Sequence, residues 1–239
     1  MKRLLQLLLS ALLLVSTTLH AEHSKPHIPK NFSAQFELYK SGFPIADTQY
    51  HFSNNNNIAI FTHISEPGGL TSFFSSNRIE EQSILDTTDN TLKVKSYHYK
   101  QTGDKKMQIS SVFNWSNKTL STTKNKQTTV SQTFEPPVWD KLSSLLGLMS
   151  SAQDQSKDIY LPTLDDIDIK KYRLKYIGKK EIETDEDEWI TSHIWRREDN
   201  NKAVIFYLDP NNHYFPVMIE QYKSQKLRAT LLLKELKWL

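Results

Sequence analysis

The stretch VWDKLSSLLGLMS, Val138 to Ser150, is the one place in the body of this chain where apolar residues recur at helical spacing, and its reading decides the fold. Leu142, Leu145, Leu146 and Met149 stand at i, i+3, i+4 and i+7, one stripe of a helix, while Lys141, Ser143, Ser144 and Ser151 lie largely off it. Pro136 and Pro137 end whatever precedes, Trp139 leads in, and Asp140 is the expected N-cap of a helix starting at Lys141. A helix this short is marginal alone and must be held by packing. Two roles fit it: a plug that finishes the core of a curved sheet, or a lid over an apolar hollow.

Outward from the helix the period changes to two. FSAQFELY places Phe32, Ala34, Phe36 and Leu38 on one face, the pattern of a half-buried strand. FPIADTQYHF and IAIFTHIS flank Asn54 to Asn57 and read as a hairpin. If that loop closes with Ser53 opposite Ile58, His51 faces Ile60 and His63 faces Thr48, on opposite faces of the sheet. Further strands follow at RIEEQSIL, LKVKSYHYK, KMQISSVFNW, KTLSTTK and TTVSQTF. Beyond the helix come KDIYLP, DIDIKKYRLKYI, KEIET, EWITSHIWRRE, KAVIFYL, FPVMIEQY and a long last strand near LRATLLLKELKW. Breaks as short as DTTDN or TGDK allow only antiparallel neighbours, because a parallel crossover needs a dozen or more residues. A dozen or more such strands must close, stack or curl into an open half-barrel, since long flat edges invite aggregation. The expected fold is therefore mainly β, one large curved antiparallel sheet with a single short central helix.

The first residues place this sheet in a compartment. Residues 1–21 combine Lys2 and Arg3, an apolar run from Leu4 to Val15 and a small residue at Ala21. The run is too short for the roughly 20 residues that span a bilayer, so it reads as a cleaved signal peptide and a periplasmic destination. Residues 22–31 are polar, carry Pro26 and Pro29, and read as a flexible lead-in to a single β-rich domain over 32–239. The chain has no cysteine, which excludes both disulfides and a lipid-modified cysteine. Of 30 basic residues two fall in the leader, and the remaining 28 against 27 acidic ones leave a net charge of +1. That is no footprint for nucleic acid, and no later run is apolar enough for a transmembrane helix. An outer-membrane barrel fits poorly too, because lysines and asparagines interrupt too many strands.

No constellation for catalysis is apparent. G-x-S-x-G, H-E-x-x-H and phosphate-cradling glycine loops are absent, and no catalytic residue, metal site or cofactor is expected. His23 and His27 straddle Pro26 and read as part of a flexible tail; His51 and His63 read as ordinary strand residues. The carboxylate runs Asp165, Asp166, Asp168 and Thr184 to Glu188 lack the glycine of a calcium loop and read as solvated turns.

Several blocks in order resemble the exported bacterial family of domain of unknown function 3108: FELYKSGFPIADTQYHF, GGLTSFFSSNRIEEQS, LKVKSYHYKQTG, the FNW at Phe113 to Trp115, WDKLSSLLGLM and FYLDPNNHYFPVMIEQYKSQ. Ala46, Val94 and Met149 depart from its pattern, where a glycine, a proline and an arginine are usual. The resemblance implies a strongly curved half-barrel or barrel-like sheet, similar to periplasmic lipoprotein carriers, and no catalytic residues. Two functions follow as expectations. One is a carrier of an apolar or glycan envelope ligand, held by Trp139, Leu142, Leu145, Leu146, Met149, Phe73 and Phe74. The other is an assembly partner of envelope proteins, offering the final strand at ELKWL as an edge for strand addition. Oligomeric state is not readable.

Overall fold

The computed structural model describes residues 28–69, 72, 76–183 and 189–239. The leader, His23, His27, Phe73, Phe74 and the run Thr184 to Glu188 lie outside the described residues. The first half of the chain forms β1 (Phe32–Lys40), β2 (Phe43–Asn55), β3 (Ile58–Pro67), β4 (Arg78–Asp86), β5 (Lys93–Thr102), β6 (Met107–Asn114), β7 (Thr119–Lys124) and β8 (Thr128–Thr133). A two-residue strand β9 (Trp139–Asp140) and helix α1 (Ser144–Ser151) stand at the middle. The second half is β10 (Ile159–Asp165), β11 (Asp168–Glu183), β12 (Trp189–Asp199), β13 (Lys202–Asp209), β14 (Phe215–Lys223) and β15 (Lys226–Trp238).

All fifteen strands belong to one sheet, ordered β8-β7-β6-β5-β4-β3-β2-β1-β15-β14-β13-β12-β11-β10-β9. Each half is an antiparallel meander, and the two halves join where the first strand pairs the last, Phe32 opposite Trp238. The final strand is therefore interior, with β1 on one side and β14 on the other. The expectation that it offers a free edge is wrong: pairing of the chain ends uses its backbone groups, and β8 and β9 are the edges instead. β9 pairs β10 in parallel, the exception to the antiparallel rule, and α1 lies in the crossover that such pairing requires. The sheet curls until its ends approach: Lys124 on β7 reaches Asp166 at 2.6 Å, and Gln132 on β8 donates to the Ile167 carbonyl at 2.8 Å. Among the described residues no ladder closes that seam, so the sheet is barrel-like but open.

Local chemistry corrects two further expectations. Asn56 and Asn57 both adopt positive φ, 50° and 64°, which asparagine tolerates, so β2 and β3 zip up to a two-residue turn. The register shifts accordingly: Tyr50, not Thr48, faces His63, and His51 faces Thr62. His51 and His63 remain on opposite faces. DIDIKKYRLKYI and KEIET, expected as two strands, run together as the single strand β11 with a bulge beside Gly178, whose φ of 126° suits a residue without a side chain.

The helix begins later than Asp140 would place it. Asp140 is held in β9, and its Oδ1 accepts from the backbone N–H groups of Leu142 and Ser143, capping the turn before α1. Ser143 takes the N-cap position but donates its hydroxyl to Asp140 Oδ2, so it makes no cap bond of its own. Leu142, Leu146, Leu148 and Met149 are buried inside the curl, and Gly147 lets the helix lie directly on Trp139. A Cβ there would come within 2.7 Å of the indole. Beneath, Phe32 meets Phe52, Phe61, Phe215 and Trp238 with ring centroids 5.2 to 5.8 Å apart, the solid centre of the core.

Candidate functional site

Between α1 and the concave face the packing stops short, leaving a cavity of about 320 Å³. Strand periodicity explains its walls. Leu38, Thr48, Ser65 and Ile79 point inward from β1 to β4, and Phe206, Ile219 and Leu231 from the second half. Leu142, Leu145 and Leu148 close it from the helix side. Of the residues expected to bind a ligand, Leu142 and Leu145 therefore line the hollow, whereas Trp139, Leu146 and Met149 pack into the core around it. The helix is plug and lid together: one flank finishes the core while the other covers the cavity.

A row of polar side chains crosses the same face. The observed register puts Tyr50, His63, Glu81 and Tyr99 opposite one another on β2 to β5. His63 Nδ1 lies 2.6 Å from Glu81 Oε2, the Tyr97 hydroxyl donates to Glu81 Oε1, and the Tyr50 ring stacks on His63 at 4.6 Å. Burial would raise the Glu81 carboxyl, but the His63 hydrogen bond, the Lys141 and His63 charges and Tyr97 outweigh it and bring it down to about 2. The group is thus an anion with both oxygens occupied. Burial pushes the Tyr97 and Tyr50 phenols up, so both stay neutral donors.

Behind this row sits Asp140, fully buried, which also accepts from Ser83 Oγ at 2.8 Å and so ties α1's lead-in to β4. Burial first, and the nearby Glu81 charge, push its carboxyl up to about 6 against its hydrogen bonds to Ser143 and Ser83. Two cations complete the cavity wall. Arg197 lies over the Tyr172 ring, 4.0 Å from its centroid, and Lys141 stands 5.4 Å from the Tyr99 centroid. Burial lowers the Arg197 guanidinium and pushes the Tyr172 phenol up to about 12, the latter also through its hydrogen bond to Asp165.

This arrangement of charged, phenolic and apolar groups around one hollow can bind and orient a ligand. Among the described residues no group of three or more His, Cys, Asp and Glu is placed to hold a metal ion. The Asp165 to Asp168 run disperses: Asp165 accepts from Lys170 and Tyr172, and Asp166 pairs with Lys124. His63, Glu81, Lys141 and Arg197 were not singled out as binding residues from sequence. The signal for His63 and Glu81 was inward parity on adjacent strands, and it needed the correct hairpin register to become visible.

No functionally curated protein matches this chain. Among solved structures, the chain is similar to a beta-barrel-like protein of domain of unknown function DUF1849 from Brucella abortus, with a TM-score of 0.53 and 9% identity. The match covers 87% of this chain and 97% of that one, a likeness of fold alone. The blocks that resembled one family in the sequence have a matching family profile over residues 34–230, and the chain belongs to that family, described as protein of unknown function (DUF3108).

Proposed function

We propose that the protein is an exported, non-catalytic binding or carrier protein of the cell envelope, whose cavity takes an apolar chain. The observation that carries this reading is the hollow of about 320 Å³ under α1, walled by leucines and set in a face that is otherwise filled with aromatic rings. Its volume falls at the lower end of the range for small-molecule sites, and its lining divides evenly between apolar residues and polar or charged ones. Leu142, Leu145, Leu148, Leu161, Leu174 and Leu231 give a hydrocarbon chain apolar contact along the wall. Export rests on the signal peptide read in residues 1–21. Native mass spectrometry of protein purified from its own host is expected to show a bound amphiphile or lipid. N-phenyl-1-naphthylamine should brighten on binding the emptied protein. Failure of both would sink the reading.

One observation favours a second reading, an assembly partner that binds by strand addition. β8 is an edge strand, and its outer backbone groups have no neighbouring strand among the described residues. A photo-crosslinker at Ser131, exposed on that edge, should capture a specific envelope protein in intact cells if this is its use. Absence of any specific protein adduct would count against it.

A further inference from the structure

The cavity wall carries two cations, Arg197 and Lys141, and among the described residues neither forms an ion pair with a carboxylate, although the Lys141 charge acts on Glu81. Among the described residues Arg197 forms no ion pair; its guanidinium has the Tyr172 face, while Asp165 and Asp199 act on it only at a distance. Asp165 is already committed to Lys170 Nζ, at 2.7 Å, and to the Tyr172 hydroxyl. Lys141 has only the Tyr99 ring as a close partner. The one carboxylate in the wall, Glu81, has its oxygens occupied by His63 and Tyr97. Both cations line the same hollow, and the charges of both act on Asp165.

Arg197 is half-buried at the cavity wall with no carboxylate partner, so its guanidinium is open to an anion that enters the hollow. Its planar fork matches a carboxylate or phosphate with two parallel hydrogen bonds, which an ammonium cannot offer. The rest of the wall mixes hydroxyl and amide groups with a run of Leu142, Leu145, Leu148, Phe206, Ile219 and Leu231, so the partner that uses both is an anion with an apolar tail. A methylene takes up somewhat less room than the ~30 Å³ of a water molecule in the liquid. The cavity therefore suits a tail of about ten carbons.

Building on the carrier reading, we infer that the site selects an anionic amphiphile: a carboxylate or phosphate-monoester head on Arg197, within the field of Lys141, and a single hydrocarbon tail along Leu142, Leu145, Leu148 and Phe206. Calorimetric titration of the purified protein with decanoate, decyl phosphate and decanol, each below its aggregation concentration, tests it. Both anions, or the one whose head group is native to the site, should bind about tenfold or more tightly than decanol, the margin of a charge-assisted pair. The tighter of the two names the head group. Arg197→Met should bring both anions down to the affinity of decanol, and Arg197→Lys should restore part of the margin. Lys141 is exposed, so Lys141→Met preserves folding and should shrink the margin by a few-fold through the lost field alone. Decanol binding as tightly as both anions would overturn the head-group selection and leave the carrier reading standing. Binding of none of the three would overturn both. A margin unchanged in Arg197→Met would overturn the assignment of Arg197.

Discussion

At the end of the concave face where β1 begins, Phe32 is fully buried among Phe52, Phe61, Phe215 and Trp238; six residues along the same strand, Leu38 borders a cavity. The strands are the same, the face is the same, and so is the period of two. What differs is side-chain volume at inward positions. β2 and β3 present Phe52 and Phe61 at the filled end but Thr48 and Ser65 at the hollow one. Aromatic rings bury 150 to 250 Å² each and close the space between facing walls, whereas a hydroxyl the size of serine cannot. The helix amplifies the contrast, since Trp139 and Met149 meet the solid part while Leu145 faces the empty one.

The comparison can be broken most directly by truncation at each end. Phe32→Ala should cost about 3–5 kcal/mol in urea unfolding, because removing a ring from a packed cluster leaves a void. Leu145→Ala, half-buried beside a space that already exists, should cost less than about 2 kcal/mol. Equal losses would mean that the hollow end is energetically as full as the other.

The polar row at the cavity floor sets a pH dependence with two opposed limbs. Glu81 is lowered from 4.5 to about 2 in the fold, so its contribution is present above pH 4.5 and lost as pH falls through 2. Asp140 is raised from 3.8 to about 6, so its contribution is present below pH 3.8 and lost as pH rises through 6. Each limb is worth about 3 kcal/mol at most, and stability from this pair should peak near pH 4. Unfolding measured from pH 2 to 7 should show that maximum, and Glu81→Gln should flatten the acid side. A wild-type profile that rises steadily to pH 7 would contradict the buried state of Asp140.

Smaller effects sharpen the contrast. Gly147→Ala drives a methyl into Trp139 on the filled side of α1 and should cost about 1–3 kcal/mol by overpacking, read as a lower urea midpoint. Ser65→Leu adds volume on the hollow side. It loses the 3.0 Å hydrogen bond from Thr48 but gains apolar burial, so stability should stay within about 1 kcal/mol. The same variant should abolish N-phenyl-1-naphthylamine binding. A variant that still binds the dye would place the dye elsewhere.

How much of this was legible beforehand follows from the range of each interaction. Period two along Phe32 to Leu38 and the stop at Pro136 and Pro137 are local patterns and stand as read, and the helical stripe holds from Leu145 to Met149, whereas Leu142 falls in the turn before α1. Asp140 does cap a turn, but with its carboxyl tied to Ser83 of β4 the helix itself starts about one turn downstream, at Ser144, a tertiary effect that no local motif encodes. The row Tyr50, His63, Glu81, Tyr99 stayed hidden because a register two residues looser pairs His63 with Thr48 instead.

The amino-acid sequence by itself determined the strand-rich composition, the one interrupting helix, the absence of cysteine chemistry and the sequence family, all of them properties of neighbouring residues or of ordered blocks. Only the tertiary structure decided that the chain's first and last strands are partners, that Arg197 and Lys141 line one hollow, and that α1 fills one end of the face and leaves the other open. A cavity is the difference between the volume a curled sheet encloses and the volume its inward side chains occupy. That difference exists only once distant strands have been set in register.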